Sequence, residues 1–251
     1  MRIGSNSRTL KGVRRISALW NAKSELEQLV ATYRGPLMNK WRHYFEIYDR
    51  HFSRFRGRDI TVLEIGIFGG GSLEVWRRYF GSKARIVGLD INPDCKRFDA
   101  PGIRVYIGSQ GDAVFLEKLV AEIGPIDILI DDGSHQFDHQ IVTFRALFEH
   151  IREDGLYVCE DLCTSYWPEG FGGVRKPGTY VEFLKELIDE LNAWFWRDGV
   201  ETEAGAFANA VHGMHFYPTL LVIEKRTMQK PLLTPVGHTP EVERASQTEP
   251  S

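Results

Sequence analysis

The spacing of apolar positions changes along the chain, and each change marks an element. From Ala18 to Tyr33 the residues Leu19, Leu26, Leu29 and Val30 recur at near-helical spacing, and a second amphipathic stretch runs from Met38 to Phe55, so two N-terminal helices are predicted. The period then switches. Ile60 to Ile67 (ITVLEIGI) reads as a buried strand, Ser72 to Tyr79 as a helix, Ala84 to Leu89 and Ile103 to Ile107 as strands, and Ala113 to Ile123 as a helix. Ile126 to Ile130 (IDILI) is a strand, His139 to Ile151 a helix, Gly155 to Cys159 a strand and Tyr180 to Trp194 a helix. Two closing strands fall around Gly213 to Phe216 and Thr219 to Glu224. Alternating strands and helices predict a doubly wound, mostly parallel sheet with helices on both faces. Residues from Thr227 onward hold four prolines and no period, so they read as a tail. The expected organisation is an N-terminal arm with helices over 1–57, one α/β domain over 58–226 and a disordered tail over 227–251.

With 251 residues, 43% of them hydrophobic, the chain can bury one sizeable core. A net charge of −3 with both signs interspersed gives no field that would favour nucleic acid or an anionic membrane as partner. The first fifteen residues carry Arg2, Arg8, Lys11, Arg14 and Arg15; a solvated leader or an arm for an acidic partner or neighbouring subunit are the two readings. Cys95, Cys159 and Cys163 form no CxxC pair, which speaks against a disulfide framework and a structural zinc site and fits a reducing cytoplasm. No apolar signal core and no run of eighteen apolar residues occurs, so secretion and membrane spanning are not expected.

The segment Val62-Leu63-Glu64-Ile65-Gly66-Ile67-Phe68-Gly69-Gly70-Gly71-Ser72 is a strand, a glycine-rich turn and a helix start. Such a turn lets the backbone approach a ligand, with Glu64, Gly66, Gly69 and Ser72 as the candidate cofactor positions. At the end of the next strand, Gly88-Leu89-Asp90 sets a carboxylate where ribose hydroxyls would lie and can accept two hydrogen bonds. The dinucleotide pattern G-x-G-x-x-G is not matched, and the acid Glu64 precedes the first glycine. Both features favour S-adenosylmethionine (SAM), which has no pyrophosphate, over NAD. After the third strand, Ser109, Gln110 and Asp112 can meet the polar edge of an adenine, although Asp112 can equally be an ordinary helix cap.

Two acidic runs follow: Ile130-Asp131-Asp132-Gly133-Ser134-His135 and Val158-Cys159-Glu160-Asp161. Strand ends in such a sheet open into one crevice, so these runs should face one another. Asp131 is placed with the cofactor residues. Four converging carboxylates repel unless protons or a cation neutralise them, and an all-oxygen donor set points to magnesium, or manganese in its place. Both Glu160 and Asp161 can turn inward only if the strand ends at Cys159, because neighbouring side chains on a strand alternate faces. His135, at a helix entrance, is the candidate general base for an activated hydroxyl. Helix capping, or metal ligation with His139 at i+4, are its alternatives.

Taken together, LEIGIFGGGS, GLDIN, GSQGD, IDDGSHQ and VCEDL resemble the metal-dependent class I SAM O-methyltransferases acting on macrolide sugars and rhamnosyl groups, grouped with cephalosporin hydroxylase-type proteins. The resemblance spans roughly Lys40 to Arg226, including Lys40-Trp41-Arg42-His43-Tyr44-Phe45-Glu46-Ile47-Tyr48. It implies a Rossmann-like seven-stranded sheet and a magnesium site of Asp132, Glu160 and Asp161, with His135 as base. It also implies a saccharide acceptor that chelates the metal, and a homodimer or higher homo-oligomer. Tyr166, Trp167, Phe171, Arg175 and Tyr180 form a loop that can stack on a sugar or act as a hydrophobic lid. His212 and His215 read as core or surface histidines. The other readings are a nucleotide-dependent oxidoreductase, a catechol-type O-methyltransferase, and a non-catalytic SAM-binding protein that would need neither the metal acids nor His135.

Overall fold

A computed structural model describes residues 21–197 and 205–237. Its centre is a seven-stranded sheet built from β1 (Thr61–Ile65), β2 (Arg85–Asp90), β3 (Ile103–Ile107), β4 (Ile126–Asp131), β5 (Ile151–Cys159), β6 (Val211–Tyr217) and β7 (Leu220–Lys225). The order is β3-β2-β1-β4-β5-β7-β6. β1 to β5 are parallel, while β7 runs antiparallel to β5 and to β6. This is the mostly parallel, doubly wound sheet that the alternating pattern predicts. Order reverses at β1 and β4, and at such a switch point the carboxyl ends of the strands open a crevice.

Side-chain alternation sorts the strands' residues between two cores. Val62 of β1 joins one with α1 (Glu25–Thr32), α2 (Tyr44–Phe52) and α3 (Gly71–Phe80), where Trp76, Tyr48, Phe52 and Phe80 pack ring against ring. Leu63 and Ile65 join the other with α4 (Ala113–Ile123), α5 (Phe137–Leu147) and α6 (Tyr180–Leu191). A short helix, α7 (Ala206–Ala210), leads into β6. The N-terminal helices thus pack into the core of the sheet. α1 starts at a capping box in which the Ser24 hydroxyl accepts from the Glu27 amide and the Glu27 carboxylate accepts from that of Ser24.

Some predicted boundaries move, while the helix expected from Tyr180 does start there. The helix expected from Met38 begins only at Tyr44, because residues 37–41 pass the carboxyl ends of the strands without regular structure and the Leu37 carbonyl accepts from the Gly71 amide. The helix expected to reach Ile151 ends at Leu147, and Ile151 opens β5 opposite Ile126. Tyr180, expected in the loop after the acids, is fully buried at the start of α6, its hydroxyl 3.0 Å from that of Tyr157. Residues 227–237 carry no regular structure. The basic leader, residues 18–20 of the first predicted helix, and 238–251 of the tail lie outside the described residues. Among the described residues no helix is long and apolar enough to cross a membrane.

Candidate active site at the carboxyl ends of the strands

The β1 turn packs against the β4 turn. Gly66 has φ +85°, and a Cβ there would overlap the Asp132 carbonyl, so glycine is required both by conformation and by contact. Gly69 is held differently, with the Leu37 backbone filling the space its Cβ would take. These glycines bring protein backbone close to protein backbone, and Gly66 also lines the cavities beside the turn. Ser72 is buried in the first turn of α3 and lines neither of them.

Two adjoining cavities share Gly66, Asp90 and Gly133. The first, about 230 Å³, is walled by Ile65, Leu89 and Ile91 with Ser109, Gln110 and Ser134, an apolar slot with a polar edge. Asp90 lies at the junction. Its Oδ2 accepts from the Ile67 and Phe68 amides at 3.0 and 3.2 Å, and Oδ1 from the Asn92 amide at 2.9 Å. A carboxylate oxygen accepts about two hydrogen bonds, so Asp90 has room for one more at Oδ1 rather than the two expected from sequence.

Gln110 spends its polar atoms on the protein. Nε2 donates to Asp131 Oδ1 and Thr143 Oγ1, while Oε1 accepts from the Ser134 amide. It is a strut between the β3 and β4 loops, and only its body lines the slot. Asp131 is buried beneath it, and burial pushes its carboxyl up to about 7 against the hydrogen bonds from Gln110 and Gly133. Asp112 caps α4 by accepting from the Phe115 amide and lines neither cavity, whereas Ser109 lines the first and accepts from the Gly111 amide. His139, hydrogen-bonded to Ser134 at 2.9 Å, faces the first cavity and His135 the second. The i+4 histidine pair therefore does not converge.

The second cavity, about 440 Å³, is the acidic one. β5 does end at Cys159, and Asp161 takes φ +54°, a left-handed turn that splits the two acids. Glu160 points to Lys40 and Tyr48. Asp161 points to the cavity: its Oδ1 accepts from Trp41 Nε1 at 2.9 Å and lies 2.9 Å from the Tyr44 hydroxyl, and its Oδ2 stands 3.8 Å from His135 Nε2. Asp132 Oδ1 is 3.9 Å from the same nitrogen. Oxygens from Asp132 and Asp161 and a nitrogen of His135 thus lie within 4.8 Å of one another. His135 has φ +56°, uncommon for a residue with a side chain, and its Nδ1 is buried without a partner.

Sequence reading assigned no role to Lys40. Its Nζ, 2% exposed, sits 2.6 Å from Glu160 Oε1, 2.9 Å from Asp132 Oδ2 and 3.0 Å from Glu64 Oε1. Burial alone would lower its pKa, but Asp132, Glu160 and Glu64 outweigh that and hold it well above the ordinary lysine value. Burial and repulsion from Asp132 raise Glu160 in turn, and the Tyr48 hydroxyl donates to it. Glu64, fully buried, also accepts from Trp76 Nε1, and lines neither cavity. The protein's own ammonium therefore takes the place between three of the carboxylates. One lysine sits among three acids, Asp161 stands apart from it, and the free oxygens of Asp132 and Asp161 are the hard donors left open to the cavity. That donor set fits magnesium, which binds through one or two carboxylates and keeps its remaining positions for water or substrate.

The chain is 40% identical over 216 residues to demethylmacrocin O-methyltransferase of Streptomyces fradiae, covering 82% of this chain and 54% of that one. It is 39% identical over 221 residues to 8-demethyl-8-(2-methoxy-alpha-L-rhamnosyl)-tetracenomycin-C 3'-O-methyltransferase of Streptomyces olivaceus, covering 84% and 56%. The solved structure of the MycE methyltransferase from the mycinamycin biosynthetic pathway, in complex with Mg and SAH, superposes with a TM-score of 0.75 at 32% identity. That match covers 99% of this chain and 68% of the other. No protein-family model matches. The chain spans about half the length of the curated relatives it matches.

Proposed function

Since this chain belongs to the metal-dependent class I O-methyltransferase family that includes demethylmacrocin O-methyltransferase and the MycE methyltransferase, we propose that it transfers a methyl group from SAM to a sugar hydroxyl. The observation that carries this reading is the convergence of Asp132 Oδ1, Asp161 Oδ2 and His135 Nε2 on the cavity that Asp90 also lines. Asp132 and Asp161 would hold Mg²⁺, or Mn²⁺ in its place, while Glu160, expected from sequence as a third ligand, is engaged by Lys40 and Tyr48 behind them. When bound, the ion supplies a Lewis acid that lowers the pKa of a neighbouring hydroxyl.

The chain's own groups do the rest. Trp41 and Tyr44 fix Asp161 by one oxygen and leave the other facing the acceptor. Lys40 lets Glu160 and Asp132 carry charge in a buried place. His135 Nε2 takes the hydroxyl proton while the acceptor oxygen forms its bond to the methyl carbon and the sulfonium sulfur keeps the electron pair of the bond that breaks. Asp90 would bind the ribose through Oδ1, and the apolar slot beside Ser109 would hold the adenine. The exposed Tyr166, Trp167 and Phe171 stand on the loop after the acids as the sugar-facing surface.

The acceptor in this reading is a saccharide on a small molecule or a precursor of a methylated polysaccharide. The enzyme is cytoplasmic and works as a homodimer, with 58–226 as the SAM domain. Support for the acceptor class comes from the relatives' sugar substrates, and the test is direct. Methyl-labelled SAM is incubated with mono- and disaccharides and with rhamnosylated small molecules, with magnesium or with EDTA. Label on a saccharide hydroxyl only when magnesium is present is the expected result. Transfer that EDTA leaves intact, or none to any saccharide, overturns the reading.

A further inference from the structure

A second group of ligand-type side chains lies on the same face of the sheet as α1 to α3, away from both cavities, where α2 packs on the antiparallel edge. His51 comes from α2, His215 from β6 and Glu224 from β7. His51 Nδ1 is 3.4 Å and His215 Nε2 3.3 Å from the same oxygen, Glu224 Oε1, and all three atoms lie within 4.8 Å of one another. We propose that His51, His215 and Glu224 form a second metal site, for a divalent transition ion of the zinc type.

The spacing fits such an ion. Bonds of about 2.0–2.1 Å to a tetrahedral centre put neighbouring ligand atoms about 3.3 Å apart. Two of the three edges have that length before any ion enters. His51 also has the outer partner that such ligands use: its Nε2 is 2.9 Å from the Tyr217 hydroxyl, which fixes the ring and, by accepting the Nε2 proton, leaves the Nδ1 lone pair for the cluster. His215 Nε2 is a buried atom without a hydrogen-bond partner, aimed at the same centre, although its ring is partly exposed. That exposed side leaves a route for an ion and a place for a water as fourth ligand.

Donor type separates the two sites. Two imidazoles and one carboxylate suit zinc and, by the general order of divalent affinities, nickel or copper. They do not suit magnesium, which favours the all-oxygen set at Asp132 and Asp161. The low cysteine count speaks against a thiolate site and leaves a two-histidine, one-carboxylate site untouched.

The test uses the full chain carrying Asp132→Asn and Asp161→Asn, which removes the oxygen site, stripped with chelator and titrated calorimetrically with zinc sulfate. One ion per chain is expected, with no response to magnesium chloride. Adding His215→Ala should weaken zinc binding about 100-fold or more through loss of one of three ligands, and Tyr217→Phe about 10-fold through loss of the outer hydrogen bond. As a second measurement, cobalt added to the unsubstituted chain should give the strong visible absorption of four-coordinate cobalt, and His215→Ala should abolish it. No bound zinc, zinc binding indifferent to His215→Ala, or a cobalt spectrum that survives it overturns the proposal. Neither readout depends on methyl transfer.

Discussion

Lys40 and Glu160, 120 residues apart in sequence, meet at 2.6 Å with both side chains almost wholly buried. An ion pair this deep is worth little over an apolar pair of the same shape, but removing one member strands the other's charge. Lys40→Met should therefore lower unfolding free energy by about 3–5 kcal/mol. Urea denaturation of the two proteins at neutral pH measures the gap. A loss under about 1 kcal/mol, the size of an exposed pair, would mean that water reaches Glu160.

In the proposed mechanism Asp161 serves the acceptor side; it lines the acidic cavity and not the apolar slot. Asp161→Ala should abolish magnesium-stimulated turnover and leave SAM affinity within about twofold, since the Asp90 contacts are untouched. Calorimetric titration with SAM, run beside the activity assay, separates the two effects. Parallel loss of both would show that the acids and the cofactor site form one unit.

Replacing His135 by alanine should reduce kcat at saturating SAM by about 10²-fold or more, the usual consequence of losing a general base. The residual rate should rise with pH as hydroxide replaces the imidazole. An unchanged kcat would assign the proton to another group.

Asp99 gives a prediction for pH. Burial would raise its carboxyl, but hydrogen bonds from Lys96 and the Val105 amide prevail and hold it below the ordinary aspartate value. A folded-state pKa below the unfolded one contributes stability above the unfolded value, and that contribution disappears as pH falls through the folded one. Asp99→Asn should thus lower stability at pH 7 by less than about 1 kcal/mol, since water screens this exposed site, with the difference shrinking as the pH falls through and below the ordinary aspartate range. Thermal melts across that range check it, and a deficit that persists in acid would assign the loss to the neutral amide itself.

The sheet was readable because apolar runs of strand length alternate with helical periods, and that pattern decides which faces are buried. The proximity of Asp132, Asp161 and His135 was readable because strand ends in such a sheet share a crevice. Lys40 was not. It sits in a stretch whose apolar spacing resembles a helix, and two of its three partners are 92 and 120 residues away, so only the folded chain brings them together. Gln110 and Asp131 misled for another reason. A polar residue beside a cavity can face ligand or protein, and residue type does not say which; here they face each other. The grouping of His51 with His215 and Glu224 needs three elements to pack, which no local spacing encodes.

The crossing of residues 37–41 over the strand ends has a practical meaning for anyone trimming or transplanting this domain. A polypeptide cut at residue 58 would retain every glycine and acid of the recognisable motifs yet lack Lys40, Trp41, Tyr44 and Tyr48, the groups that neutralise and aim those acids. Swapping the region before the first strand between relatives thus exchanges the side chains that hold Glu160 and Asp161 in place.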